Sequence, residues 1–104
     1  MYYPLPAVMI EFLILAMVQR EDSYGYEISQ RLKCIANLKE ATLYPILKKL
    51  VDSGFLTTYQ QEYQGRTRKY YRITPSGNEQ LVFLSLEWEE YKKGIDNIWK
   101  GEVE

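Results

Sequence analysis

No histidine occurs anywhere in this 104-residue sequence, and Cys34 is its one cysteine. The first absence removes imidazole as a general base and as a metal ligand, which excludes the common zinc sites and histidine-driven catalysis. The second excludes a disulfide within the chain, which fits a reducing cytoplasm. Long apolar runs are also missing. From Ala7 to Val18 only Glu11 breaks the apolar sequence, and that stretch is about half of the ~20 residues that cross a bilayer. It is expected as a buried helix, with no membrane segment. No Lys or Arg precedes it, so no secretory leader is expected. Paired carboxylates in a cleft-forming motif, a phosphate-cradling glycine loop and a nucleophile beside a base are absent too. The chain is therefore expected not to be an enzyme and to need no cofactor.

What is present describes one packed domain. Hydrophobic residues make up 46% of the sequence and charged residues 26%, a globular rather than a disordered mix. The net charge of −1 hides a strong asymmetry. Residues 1–22 hold one basic and three acidic side chains. Residues 23–73 hold nine basic and four acidic ones, net +5. Residues 74–104 hold three basic and seven acidic ones, net −4. Counterion release from phosphates depends on charge at the contact face, so a basic module between acidic ends is compatible with DNA binding.

Hydrophobic periodicity predicts helices over about 6–19, 25–33 and 38–53. In the third, Leu43, Ile46, Leu47, Leu50 and Val51 share one face. Ala41, Thr42, Pro45, Lys48, Lys49 and Asp52 share the other, with Tyr44 at the border. Asn37 and Glu40 have the spacing of a capping box, and Gly54 is placed to take a left-handed cap. Pro45 inside the pattern calls for a late start or a bend. Residues 55–63 and 67–73 are rich in β-formers, with Gln64-Gly65-Arg66 between them, which is a hairpin signal. Thr74-Pro75 reads as an N-cap followed by proline at the first helical position. A long helix follows, to about Lys100. Its Leu81, Leu84, Trp88, Tyr91, Ile95 and Ile98 are spaced 3, 4, 3, 4, 3, a heptad stripe that requires a partner helix.

Helix, helix, helix, hairpin, helix is the order of a winged helix-turn-helix. The expected class is mostly α (α+β), with a two-stranded wing. Residues 1–74 form the DNA-binding part, and residues 75–104 form a C-terminal dimerisation helix within one compact unit. Four stretches carry a likeness to a known family: Tyr24-Gly25-Tyr26-Glu27-Ile28, residues 41–50 from Ala41 to Leu50, Gly54-Phe55-Leu56, and residues 68–77 from Arg68 to Gly77. On these the chain resembles the PadR family of transcriptional regulators, in its short subgroup with one C-terminal helix. The resemblance implies a homodimer whose last helix packs on the partner's first and last helices. It further implies repression of transcription, often with release by an aromatic ligand or a stress signal. A proline at the Pro45 position belongs to the family pattern.

The candidate DNA-binding residues are Thr42, Tyr44, Lys48 and Lys49 on the third helix, and Arg66, Thr67, Arg68 and Lys69 on the wing. The second helix of such a motif enters the major groove, while arginines on a wing reach backbone or minor groove. Lysine pairs alone are usually a solvated helix face. A basic hairpin beside them makes the footprint of a DNA binder. The partners expected are a pseudo-palindromic double-stranded operator and a second copy of the chain. Leu81, Leu84, Trp88, Tyr91, Ile95 and Ile98 are expected as the dimer seam. Trp88 also falls where some multidrug-sensing members stack a ligand, although its flanking positions differ, and a regulator without a small aromatic effector is an equal reading. Cys34 reads as a small structural residue, with redox sensing as its alternative. A winged helix used for protein contact alone is the competing function.

Overall fold

The computed structural model describes residues 3–101. The outermost residues of the two expected segments, 1–2 and 102–104, lie outside the described residues. Seven elements follow in order: α1 (Ala7–Arg20), β1 (Ser23–Tyr24), α2 (Gly25–Leu32), α3 (Glu40–Asp52), β2 (Leu56–Tyr63), β3 (Arg66–Ile73) and α4 (Pro75–Trp99). Four helices and a small antiparallel sheet in this order form the expected winged helix. The sheet order is β1-β3-β2, so the expected two-stranded wing, β2 and β3, is joined by a third short strand. The third consists of Ser23 and Tyr24, opposite Tyr71 and Tyr70. Two residues are too few to show an alternation, which is why this strand leaves no periodic trace in the sequence.

One apolar core holds the body together. Ile14, Leu15, Ile28, Leu32, Leu43, Leu47, Leu50 and Leu56 are all at most 2% exposed. They come from α1, α2, α3 and the first residue of β2, so each helix of the motif is fixed by the other two. Along α1, Ile10, Ile14, Leu15 and Val18 are buried, while Phe12, Leu13 and Met17 are partly covered. Among the described residues no helix is long and apolar enough to cross a membrane.

The start of α3 differs from the capping-box expectation. Lys39 occupies the N-cap, no side chain caps the helix, and Glu40 is already helical. The first helical bonds run from the Thr42 and Leu43 amides to the Lys39 carbonyl. Ala36 and Leu38 are buried, which keeps the chain extended past Asn37 and delays the helix by two residues. Even with this late start, Pro45 is interior to α3. Its ring cannot donate to the Ala41 carbonyl, and both residues are exposed, so water can take that acceptor.

The other end of α3 closes as expected. Gly54 has φ +81°, its amide donates to the Val51 carbonyl, and the Phe55 amide donates to that of Leu50, the paired bonds of a Schellman motif. Thr74 then caps α4: its Oγ1 accepts from the Gly77 amide at 3.0 Å and donates to the Gly54 carbonyl at 2.6 Å. One hydroxyl thus joins the end of α3 to the start of α4. Gly77 is required there, because a Cβ would lie 2.1 Å from the Phe55 carbonyl oxygen.

Along α4 the heptad stripe divides. Leu84 is buried and Leu81 partly so, both against the core that α1 contributes to. Part of their cover is thus internal, from the body on which α4 lies. Trp88 is half-buried. Tyr91, Ile95 and Ile98 are 65%, 47% and 85% exposed. Val82, Phe83 and Leu86 form a second exposed apolar patch on another side of the helix, which the heptad reading did not include.

Candidate nucleic-acid interface

The apolar face of α3 dictates what the opposite face can offer. Leu43, Leu47 and Leu50 are sealed in the core, so Thr42, Tyr44, Pro45, Lys48 and Lys49 point out. Tyr44 is held by a neighbour that sequence reasoning did not assign. A Cβ at Gly25 would come within 2.9 Å of the Tyr44 hydroxyl, so glycine opens the seat in which this ring lies across the start of α2. Lys39, exposed at the N-cap of α3, places a cation at the leading end of the helix, which the expected start at Asn37 concealed.

The two lysines of α3 differ in kind. Lys48 Nζ lies 2.7 Å from Asp52 Oδ2, one turn on, with both side chains well exposed. Such a pair contributes little and exchanges readily for a phosphate. Lys49 Nζ instead reaches back 3.2 Å to Glu11 Oε2, and the Glu11 side chain is only 11% exposed. A carboxylate in an apolar helix needs a partner, and Lys49 supplies it. The residue assigned to DNA therefore also ties α3 to α1.

The hairpin register sorts the wing. Tyr63 pairs with Arg66, Gln61 with Arg68, Tyr59 with Tyr70 and Thr57 with Arg72. The turn is two residues long, with φ +50° at Gln64 and +78° at Gly65, the signs of a type I′ hairpin. Arg66 belongs to the strand rather than to the turn. Because side chains alternate, Arg66, Arg68, Tyr70 and Arg72 face outward with Tyr24, Tyr59 and Tyr63. Thr67 and Lys69 face the other way, with Tyr71, whose ring is buried. The four wing residues expected as one site are thus divided between two faces.

The outer face is a ladder of rings and guanidinium groups. Tyr59 and Tyr70 stack with centroids 5.5 Å apart and an interplanar angle of 15°. Tyr24 meets Tyr70 edge-on, also at 5.5 Å. The Arg68 guanidinium lies 4.3 Å from the Tyr24 centroid and 4.1 Å from that of Tyr63. The Tyr70 side chain beside it raises the Arg68 pKa. At the base, Asp22 Oδ2 accepts from the Tyr59 hydroxyl at 2.7 Å and from Arg72 Nε at 3.1 Å. The bond to Asp22 raises the pKa of both partners. Asp22 is 37 and 50 residues from them in sequence, and no local pattern announces it. On the inner face burial raises the Tyr71 pKa, and Lys69 Nζ lies 5.7 Å from that ring.

Of the expected seam residues, Trp88 and Tyr91 approach each other with centroids 6.3 Å apart, and Lys92 Nζ lies 5.8 Å from the Trp88 ring. Cys34 is exposed.

Comparison with known proteins agrees with this arrangement. The profile of the transcriptional regulator PadR-like family matches residues 14–82. A crystal structure from Streptococcus mutans UA159 superposes with a TM-score of 0.96 at 59% identity, covering 100% of this chain and 98% of that one. A PadR family transcription regulator from Clostridium difficile R20291 superposes with a TM-score of 0.80 at 31% identity, over 86% of this chain and 97% of the other. The negative transcriptional regulator PadR of Bacillus subtilis is 32% identical over 79 residues, which are 70% of this chain but only 43% of that protein. The matched family and the Clostridium difficile and Bacillus subtilis proteins are transcriptional regulators and not enzymes.

Proposed function

Because the chain belongs to the PadR-like family of transcriptional regulators, we propose that it binds double-stranded DNA as a homodimer and represses transcription from a pseudo-palindromic operator. The observation that carries this reading is one small body that holds out both the polar face of α3 and the four cations of β3, on a chain whose last helix leaves apolar side chains uncovered. The leading half of α3 enters the major groove, where Thr42 and Tyr44 meet base edges and Lys48 exchanges Asp52 for a phosphate. Arg66, Thr67, Arg68 and Lys69 hold the neighbouring backbone from the wing. Trp88, Tyr91, Ile95 and Ile98 are covered by the partner's helices, as are Val82, Phe83 and Leu86. The dimer presents its two α3 helices about 34 Å apart, one turn of DNA, so the operator is an inverted repeat. A flat aromatic effector fits between the paired Trp88 rings, and its arrival would alter the spacing of the two reading helices. Repression rather than activation follows the Bacillus subtilis relative's name, negative transcriptional regulator.

The test is to recover DNA from a random pool with the purified chain, then measure retardation of the enriched sequence. An inverted repeat with half-sites about 10 base pairs apart is expected. Lys48→Glu and Tyr44→Ala should each abolish its selective binding without changing helicity. Enrichment of no sequence, with retardation that ignores both substitutions, would replace this reading with a protein-contact module.

A further inference from the structure

The outer face of the wing does more than carry charge. Arg68 is a long side chain on an exposed strand, which in isolation would sample many rotamers. Here Tyr24 of β1 and Tyr63 of β2, from the strands on either side, set their ring centroids 4.3 and 4.1 Å from its guanidinium. Stacking leaves the rim of a guanidinium free, and that rim is a planar fork matching two oxygens of one anion. The ordering that binding would demand of this side chain is already complete in the free protein. The two rings that hold it belong to different strands, so the fork is tied to the body through β1 as well as to the hairpin.

The surroundings favour an anion. Thr57, Tyr59, Gln61, Tyr63, Arg66, Tyr70 and Arg72 share this face by register, and none is acidic. Asp22, at the base, is engaged by Tyr59 and Arg72. Lys69 sits on the opposite face of the same thin ribbon, whose strands are about 5 Å apart. A DNA groove sets phosphates on both sides of an inserted ribbon, whereas an acidic protein patch would meet one face only. We propose that Tyr24 and Tyr63 make Arg68 a pre-formed, two-pronged seat for a DNA phosphate on the outer face of the wing, while Lys69 serves the opposite strand as a plain charge. The proposal rests on the DNA-binding reading above and adds a demand for geometry that charge alone does not make.

Fluorescence anisotropy with a mixed-sequence duplex of about 40 base pairs, titrated from about 50 mM salt upward, separates geometry from charge. Arg68→Lys keeps the charge and loses the planar fork. It should lower affinity about tenfold with an unchanged salt slope. Tyr63→Ala leaves every charge in place and removes one of the two rings, and should lose affinity in the same way. Arg68→Ala should add a drop of about 1 in the slope. Arg20, exposed at the end of α1 and away from the wing, is the control: Arg20→Lys should bind within about twofold of the unmutated chain. Melting temperatures of all four variants should be unchanged; if Tyr63→Ala melts early, Arg68→Lys carries the test. Wild-type affinity for Arg68→Lys together with a lowered slope for Arg68→Ala would reduce Arg68 to a point charge and overturn the proposal. Unchanged affinity and slope for Arg68→Ala would overturn it in favour of an acidic protein partner. In both cases binding by the unmutated chain leaves the DNA-binding reading standing, whereas failure of the unmutated chain to bind any duplex defeats both.

Discussion

Helices α3 and α4 carry the same signal, an apolar stripe at helical spacing, and the molecule treats them differently. In α3 the stripe is sealed inside the chain: Leu43 and Leu47 are fully buried and Leu50 is 1% exposed. In α4 only the first two positions, Leu81 and Leu84, are covered by the chain's own core, and the stripe then runs into solvent, with Ile98 85% exposed. Periodicity states that a face must be covered. It does not state whether the cover lies in the same chain or in another one. The charge pattern divides the molecule likewise, since α3 and the wing are basic and the segment containing α4 is acidic.

The sharpest way to break this contrast is to remove one large side chain from each helix. Leu47→Ala should destabilise the chain by about 2–5 kcal/mol through lost burial and the cavity left behind, at every protein concentration. Ile98→Ala should leave the denaturation midpoint of dilute protein unchanged and raise the dimer dissociation constant, so its effect should appear only where melting depends on concentration. Equal, concentration-independent losses in the two variants, measured by urea unfolding, would show that α4 is covered within the chain after all.

A finer contrast lies within α3, between two adjacent lysines. Lys49→Glu sets a second carboxylate beside Glu11, which is nearly buried, and should cost about 1–2 kcal/mol. Lys48→Glu faces Asp52 at the surface and should cost under about 0.5 kcal/mol. A variant changing both lysines is therefore a poor probe of DNA contact, because it perturbs the α1–α3 junction as well. Thermal melts of the two single variants decide the matter: similar midpoints would mean that the Glu11 pair contributes nothing.

The smallest expected effect is in alkali and separates the two faces of the sheet. Burial raises the Tyr71 pKa above its ordinary 10.0, and the Asp22 hydrogen bond raises that of Tyr59. A raised folded-state value means that the folded chain keeps a proton which the unfolded chain releases. The associated stability is complete below pH 10 and is lost as pH climbs through the raised values. Tyr71→Phe should flatten part of that decline and leave the Tyr59 part. A decline from pH 10 upward that is unchanged in Tyr71→Phe would assign all of it to the outer face.

Much of the arrangement follows from residues read in order. The 3.6-residue period of α3, Gly54 after its last apolar residue, Thr74-Pro75 before α4 and the turn at Gln64-Gly65-Arg66 are local instructions, and each was carried out where the pattern placed it, except that Arg66 joined the strand. Local rules failed where burial or pairing at a distance decided the outcome. Burial of Ala36 and Leu38 moved the start of α3 past Asn37. Pairing with Tyr70 and Tyr71 made a strand of Ser23 and Tyr24. Strand alternation divided Arg66 and Arg68 from Thr67 and Lys69, and packing on the core covered Leu84 and part of Leu81. The sequence by itself determined which faces are apolar, where helices stop and which segment is basic, because those depend on neighbours a few residues apart. Only the tertiary structure decided which lysine is engaged by Glu11, which ring holds Arg68 and how far α4 is covered, because each depends on residues tens of positions apart brought within a few ångströms by the shared core.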